Sequence, residues 1–227
     1  MVNLQFFPLV DRAMLETILA ELPDIYSDMN LLIRKKDFIT VPENFHDTND
    51  NNLFKLSYNQ RAEDKLWTDK SDQGIEIVYA VEIGLVDCIC TKFPRIRIRN
   101  EVSVILSKLF KEVNFKRPHI LISVNDWHLI IYAINEGKLQ LCNAFQAKSY
   151  DDIFYFVMLT VEQLHFLPGE TDLIILGEPP ARNDIFELFS NYIKEINIWL
   201  EEYKTDDEIK NEHLLSHSFA LQTLVCE

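Results

Sequence analysis

Three groups of residues in this chain carry chemistry-bearing side chains at short spacing. His213 and His217 stand four apart, which on a helix puts two imidazoles on one face, with Glu212 or Cys226 at hand to complete a metal site. No second ligand motif accompanies them, so surface or packing histidines are the simpler reading. Arg95, Arg97 and Arg99 alternate with isoleucines, and Lys92 is close by. Such a face can meet RNA or an acidic partner, although a solvated strand face explains it more simply. Asp151 and Asp152 open a helical stretch, where negative charge complements the helix dipole. The four cysteines include Cys88 and Cys90 as C-x-C, too tight for a redox C-x-x-C, and they read as free buried thiols in a reducing cytoplasm. The sequence holds no Gly-x-Ser-x-Gly, no catalytic Cys–His context and no P-loop or dinucleotide fingerprint. Covalent catalysis has no support among these residues.

The whole-chain balance narrows the classes further. In 227 residues, 36 acidic side chains face 22 basic ones, a formal net charge of −14. That charge repels nucleic-acid backbone and anionic lipid over most of the surface, so neither is an expected partner. At 48% apolar and 11% aromatic the chain can bury a real core. No apolar run approaches the ~18–20 residues that span a bilayer, and the start lacks a basic region followed by an apolar block and cleavage site. A cytoplasmic protein with no membrane insertion is expected. Only five glycines occur, about a third of the ~7% usual frequency, and loops that cradle phosphate are built from glycine.

The elements that must position these residues follow from periodicity. A strand is expected at Val2–Phe7 and a helix from Asp11 to Leu22, where Met14, Leu15, Ile18, Leu19 and Leu22 share a face, with Pro23 ending the run. Strands are expected at Met29–Lys35, Phe38–Val41, Asp64–Thr68 and Ile75–Val81, and a short helix at Asn51–Tyr58. Helix follows over Glu82–Cys90, then the arginine strand, then an amphipathic helix at Val102–Val113. Phe115–Pro118 reads as a hinge. Beyond it three strands are expected at His119–Val124, Trp127–Ile134 and Lys138–Phe145, with Asn125-Asp126 and Asn135-Glu136-Gly137 as turns. Helix Tyr150–Phe166, capped near Ser149 or Asp151 and closed by Pro168-Gly169, precedes strand Leu173–Leu176, helix Arg182–Ile193 and strand Ile196–Leu200. Leu214–Val225 is apolar enough to dock back as a helix. The aromatic run Phe145, Tyr150, Phe154, Tyr155, Phe156 and Phe166 reads first as core; a helix with aromatics on several faces still exposes some, so part of this helix, or Leu214–Val225, is a candidate protein-contact surface. The order of the second half is that of a layered α/β domain, and the first half looks like an incomplete copy.

Several short stretches, in order, resemble one known family. They are Phe38-Ile39-Thr40-Val41-Pro42-Glu43, Val78-Tyr79-Ala80-Val81, Asn143-Ala144-Phe145 leading into Asp151–Gln163, Leu176-Gly177-Glu178 and the terminal Cys226-Glu227. Together they resemble domain-of-unknown-function family 3822, found mainly in Bacteroidetes, over nearly the whole chain. That family is similar in fold to the actin-like ATPases, whose two ribonuclease-H-like halves flank a nucleotide cleft, and whose bacterial relatives include scaffolds of the PilM and FtsA kind. The resemblance implies the fold without a known activity. Relatives open with two further strands, so either the start lies upstream or the first lobe lacks its opening hairpin. The lobes would span 1–115 and 116–227, the second carrying the C-terminal tail.

In such a cleft the resemblance implies two tight phosphate turns, each with an Asp and closely spaced glycines. The first would be absent with the hairpin. The second falls on Val124-Asn125-Asp126-Trp127-His128, which has no glycine. Asp126 can hold a magnesium-bound water, but a plain hairpin turn is the simpler reading. The adenosine-contacting Gly-Gly would fall on Leu176-Gly177-Glu178-Pro179-Pro180, which keeps one glycine and substitutes a carboxylate for the next. The degenerate cleft set is therefore Asn125, Asp126, Gly177 and Glu178. The expectation is a non-catalytic actin-like scaffold or protein-interaction module, a pseudo-ATPase without resident cofactor or metal, whose partner is another protein. The alternative is a switch that binds ATP and magnesium in that cleft; a third reading is an RNA-metabolism accessory working through Arg95–Arg99.

Overall fold

The computed structural model describes residues 12–22, 29–35, 37–42, 58, 61–71, 73–125, 128–177, 182–199 and 220. The chain divides into two compact units, one of Gln5–Ser107 and one containing Lys108–Glu227. The expected strand at Val2–Phe7, nearly all of the expected helix at Asn51–Tyr58 and most of the C-terminal segment lie outside the described residues. Of that segment only Ala220 is described, helical and fully buried.

The first unit opens with α1 (Arg12–Glu21), whose apolar stripe delivers Leu15 and Leu19 to a small core. Their counterparts, Ile89 and Phe93, come from and just after α2 (Ile83–Lys92). Lys92 Nζ donates to the carbonyls of Leu19 and of Leu22, the latter at 2.7 Å, satisfying acceptors that the end of α1 leaves open. Strands β1 (Asn30–Ile33) and β5 (Arg97–Asn100) pair in parallel, Asn30 opposite Arg97. A separate antiparallel sheet has the order β2-β4-β3, from β2 (Phe38–Pro42), β3 (Asp64–Lys70) and β4 (Ile75–Glu82). Its middle strand is buried from Glu76 to Val81, as expected of a strand covered on both faces. Helix α3 (Glu101–Glu112) follows β5 directly.

In the second unit three strands run consecutively: β6 (His119–Asn125), β7 (His128–Asn135) and β8 (Lys138–Gln146). Helix α4 (Tyr150–Gln163) carries the chain to β9 (Asp172–Leu176), and α5 (Arg182–Phe189) leads to β10 (Glu195–Trp199). The sheet order is β10-β9-β6-β7-β8, with β7 antiparallel to both neighbours and β6, β9 and β10 parallel. Ile120, Ile122, Leu129, Ile131 and Leu173 point from this sheet into one core with Ile153, Val157 and Val161 of α4 and Ile185 and Phe189 of α5. The other face, with Leu121, Ile130 and Tyr132, is equally buried. Two-sided burial explains the nearly unbroken apolar runs of β6 and β7.

Three local geometries refine the sequence expectations. Pairing of β6 with β7 continues to Asn125 opposite His128, so Asn125 belongs to the ladder rather than to a turn. At the next hairpin Asn135 pairs with Lys138, leaving Glu136 and Gly137 at φ +51° and +71°. Two left-handed residues are what a right-twisted two-residue hairpin requires. Helix α4 stops at Gln163, short of Phe166. His165 turns left-handed at φ +56°, and the amides of His165 and Phe166 return to the carbonyls of Glu162 and Val161 at 3.0 and 2.9 Å. This paired closure satisfies the last carbonyls before Pro168-Gly169 is reached. Its start matches expectation: Ser149 Oγ accepts from the Asp152 amide at 3.2 Å, and Asp152 Oδ2 accepts from the Lys148 amide at 2.7 Å.

Candidate functional site

The edge where parallel strands end is the place to look for a site in this sheet. The chain runs outward from β6 through β7 to β8, then crosses by α4 to enter on the other side of β6 as β9. Crevices outside the carboxyl ends of strands at such a reversal are the usual ligand sites of open α/β sheets. Ser123 pairs with Leu176, so Asn125 and Gly177 follow at the same edge of adjacent strands. The structure thus brings together two of the four cleft residues. Asp126 and Glu178 lie outside the described residues.

The local geometry limits what these two can do. Gly177 sits at φ +82°, a conformation that asks for glycine. Its amide donates to the carbonyl of Trp199 at 2.9 Å, continuing the β9–β10 ladder. An amide held in that way is committed, whereas phosphate cradles need amides that converge on open space. Asn125 is half-buried as the last ladder residue of β6. Among the described residues no group of three His, Cys, Asp or Glu side chains is placed to hold a metal.

The other sequence candidates are dispersed. His213 and His217 lie outside the described residues. Arg97 and Arg99 are on β5, while Arg95 precedes it in a turn. Arg99 is half-buried and close enough to Tyr79 to favour its ionised form, so the three arginines do not make one open basic strip. Cys88, Cys90 and Cys142 are free thiols.

Two polar clusters went unrecognised in the sequence. In the first unit, Asp69 of β3 accepts from Tyr79 Oη at 3.0 Å through Oδ1, and through Oδ2 from the Asn100 amide and Ser103 Oγ, both at 2.6 Å. Asn100 Oδ1 in turn accepts from the Val102 amide at 2.8 Å, so the carboxylate and the amide side chain together cap α3. Burial, then the Asp69 charge and hydrogen bond, push the Tyr79 phenol well above its ordinary value. In the second unit, His119, Asp172 and Glu195 are the first residues of β6, β9 and β10 and stand side by side in register. Arg117 joins them, with Nε 2.7 Å from Asp172 Oδ2 and Nη2 3.1 Å from Glu195 Oε2. This cluster is at the opposite strand ends from Asn125 and Gly177. Neither cluster had a sequence signal beyond an acidic residue at a strand end, because each depends on strand pairing between distant segments.

Residues 5–196 match the family described as Protein of unknown function (DUF3822). The chain belongs to the DUF3822 family. No curated protein sequence matches it. Among solved structures, this DUF3822 chain is similar to a Bacteroides thetaiotaomicron VPI-5482 protein with actin-like ATPase fold and unknown function. The TM-score is 0.80 at 16% identity, over 95% of this chain and 81% of that one. It also aligns with a PilM-PilN type IV pilus biogenesis complex at TM-score 0.49 and 7% identity, over 94% of this chain and 84% of that one. The first of these likenesses establishes the fold: this DUF3822 chain is an α/β protein with the actin-like ATPase fold. Among the described residues no helix is long and apolar enough to cross a membrane.

Proposed function

We propose that this chain is a non-catalytic member of the actin-like fold, a cytoplasmic scaffold or protein-interaction module whose ancestral cleft no longer cycles nucleotide. The second unit, with its sheet order β10-β9-β6-β7-β8, is read as a ribonuclease-H-like lobe, and the first unit as its incomplete counterpart. The observation that carries the reading is the bond from the Gly177 amide to the Trp199 carbonyl. It commits the one glycine amide at the sheet edge to the strand ladder. The neighbouring β6–β7 hairpin, paired as far as Asn125 and His128, adds no glycine from His119 to Asn135. Loops of that composition offer few backbone donors to a triphosphate.

The position of Asn125 and Gly177 at the strand-order reversal favours a second reading, a switch that binds ATP and magnesium without fast hydrolysis. Calorimetric titration of ATP and magnesium into the full chain separates the two. No saturable heat is expected. Saturable binding that Asp126→Ala abolishes would replace the scaffold reading with the switch. The RNA reading through Arg95, Arg97 and Arg99 has no further observation in its favour.

A further inference from the structure

We infer that the outward face of α4, together with α5, docks a basic amphipathic helix of another protein. This inference rests on the interaction-module reading and names the partner's chemistry. The sheet-facing side of α4 already spends Ile153, Val157 and Val161 on the core. Its remaining positions would ordinarily be polar on a helix that meets only solvent. Here Tyr155 is 59% exposed, and Leu167 and Tyr192 beyond the two helices are 61% and 52% exposed. A groove of about 630 Å³ runs along the C-terminal half of α4, lined by Phe154, Tyr155, Met158, Leu159, Phe166 and Leu167 among others. A second groove of about 570 Å³ lies between the start of α4 and α5, where Asp151, Asp184 and Glu187 surround Tyr150, Leu188 and Tyr192. Between them the Phe154 ring of the first packs edge-on against Tyr192 of the second at 5.1 Å.

Charge selects the occupant. Among the described residues Asp151, Asp184 and Glu187 line the second groove and Glu162 and His165 the first, with no Lys or Arg beside them. A second copy of this chain across a two-fold axis would set these carboxylates against themselves. An anionic lipid surface meets the same repulsion. Residues 211–227 of the chain contain no Lys or Arg and carry Glu212 and Glu227, so they do not complement the acidic end. A helix with apolar anchors on one side and Lys or Arg at one end satisfies both grooves, in the manner of helix-in-groove recognition. At 14 residues α4 is about 21 Å long, enough to accompany three to four turns of such a partner.

The test is fluorescence anisotropy with the full chain and a labelled 18-residue helical peptide of Leu and Lys, beside a version with Glu at every Lys. The lysine peptide is expected to bind saturably and the glutamate peptide at least tenfold more weakly. Tyr155→Ser with Leu167→Ser, and separately Asp184→Lys with Glu187→Lys, should each weaken binding at least tenfold while thermal melts remain cooperative. Reversal of two exposed acids elsewhere, Glu63→Lys with Glu136→Lys, should change it less than twofold. Equal loss from both charge reversals would mean diffuse attraction to net charge and would overturn the proposal. A dimer in light scattering that Leu167→Ser dissolves would give the face to a second copy and overturn it as well. Nucleotide calorimetry reports on the scaffold reading separately, so absence of peptide binding with no ATP heat sinks only the docking surface.

Discussion

Asp172 and Arg117 meet at 2.7 Å, carboxylate Oδ2 to guanidinium Nε, at the first residue of β9. The carboxylate is almost fully buried, with its side chain 5% exposed, whereas Arg117 is 42% exposed. The same Oδ2 lies 3.2 Å from His119 Nε2, and the Asp172 amide donates to the Pro118 carbonyl at 3.1 Å. The segment entering β6 is thereby fastened to the neighbouring parallel strand.

Removal of the guanidinium leaves a buried carboxylate short of a donor. Arg117→Met is expected to cost about 1–3 kcal/mol, the range for an unsatisfied buried polar group. Urea denaturation should show a lower midpoint at unchanged slope. Asp172→Asn in the same chain should restore part of the loss, because the neutral amide needs less compensation.

Tyr79 makes stability sensitive to alkaline pH. Its phenol is held neutral by burial and by Asp69, so its folded pKa lies above the unfolded value of 10.0. The folded state therefore keeps a proton that the unfolded chain releases above about pH 10, and stability falls as pH rises beyond that point. Denaturation from pH 8 to 11 should show the decline, and Tyr79→Phe should flatten it. At neutral pH the same variant should lose about 1 kcal/mol with the hydrogen bond to Asp69.

Gly177 holds φ +82° at the end of β9. Gly177→Ala should cost about 1–2 kcal/mol, the penalty for a Cβ in the left-handed region. Gly177→Asn should cost less, since Asn tolerates that region. Thermal unfolding of both variants measures the difference, and equal losses would point to a steric rather than a conformational cause.

Ser149 sets the start of α4 through its bond to the Asp152 amide. Ser149→Ala is expected to destabilise by about 0.5–2 kcal/mol, and Ser149→Asp to preserve the cap. Hydrogen exchange at the first-turn amides of α4 should accelerate in the alanine variant alone.

The second unit was legible residue by residue because its strands are buried on both faces and its helices on one. Apolar runs such as Ile120–Val124 and Leu129–Ile134, broken by short turns, leave few alternatives to three successive strands. The periodicity of α4 and the Ser149 cap are likewise local properties. Helix ends were less legible. The closure of α4 at His165 depends on a residue with no special composition adopting a left-handed turn, where Gly169 looked like the natural stop.

Sequence alone therefore determined which segments form strands and helices in the second unit, through burial periodicity and capping chemistry. Its lack of glycine over Val124–His128 also weighs against a glycine-built phosphate loop there, because composition is a property of the chain. Tertiary structure decided which strands are neighbours. Only the insertion of β9 beside β6 places Gly177 next to Asn125, and only its register with β10 commits the Gly177 amide to Trp199. The same holds for Asp69 at the head of α3 and Asp172 beside Arg117. Strand order and register are set by the total burial and hydrogen bonding of the sheet, a sum over distant segments that no single stretch of sequence contains.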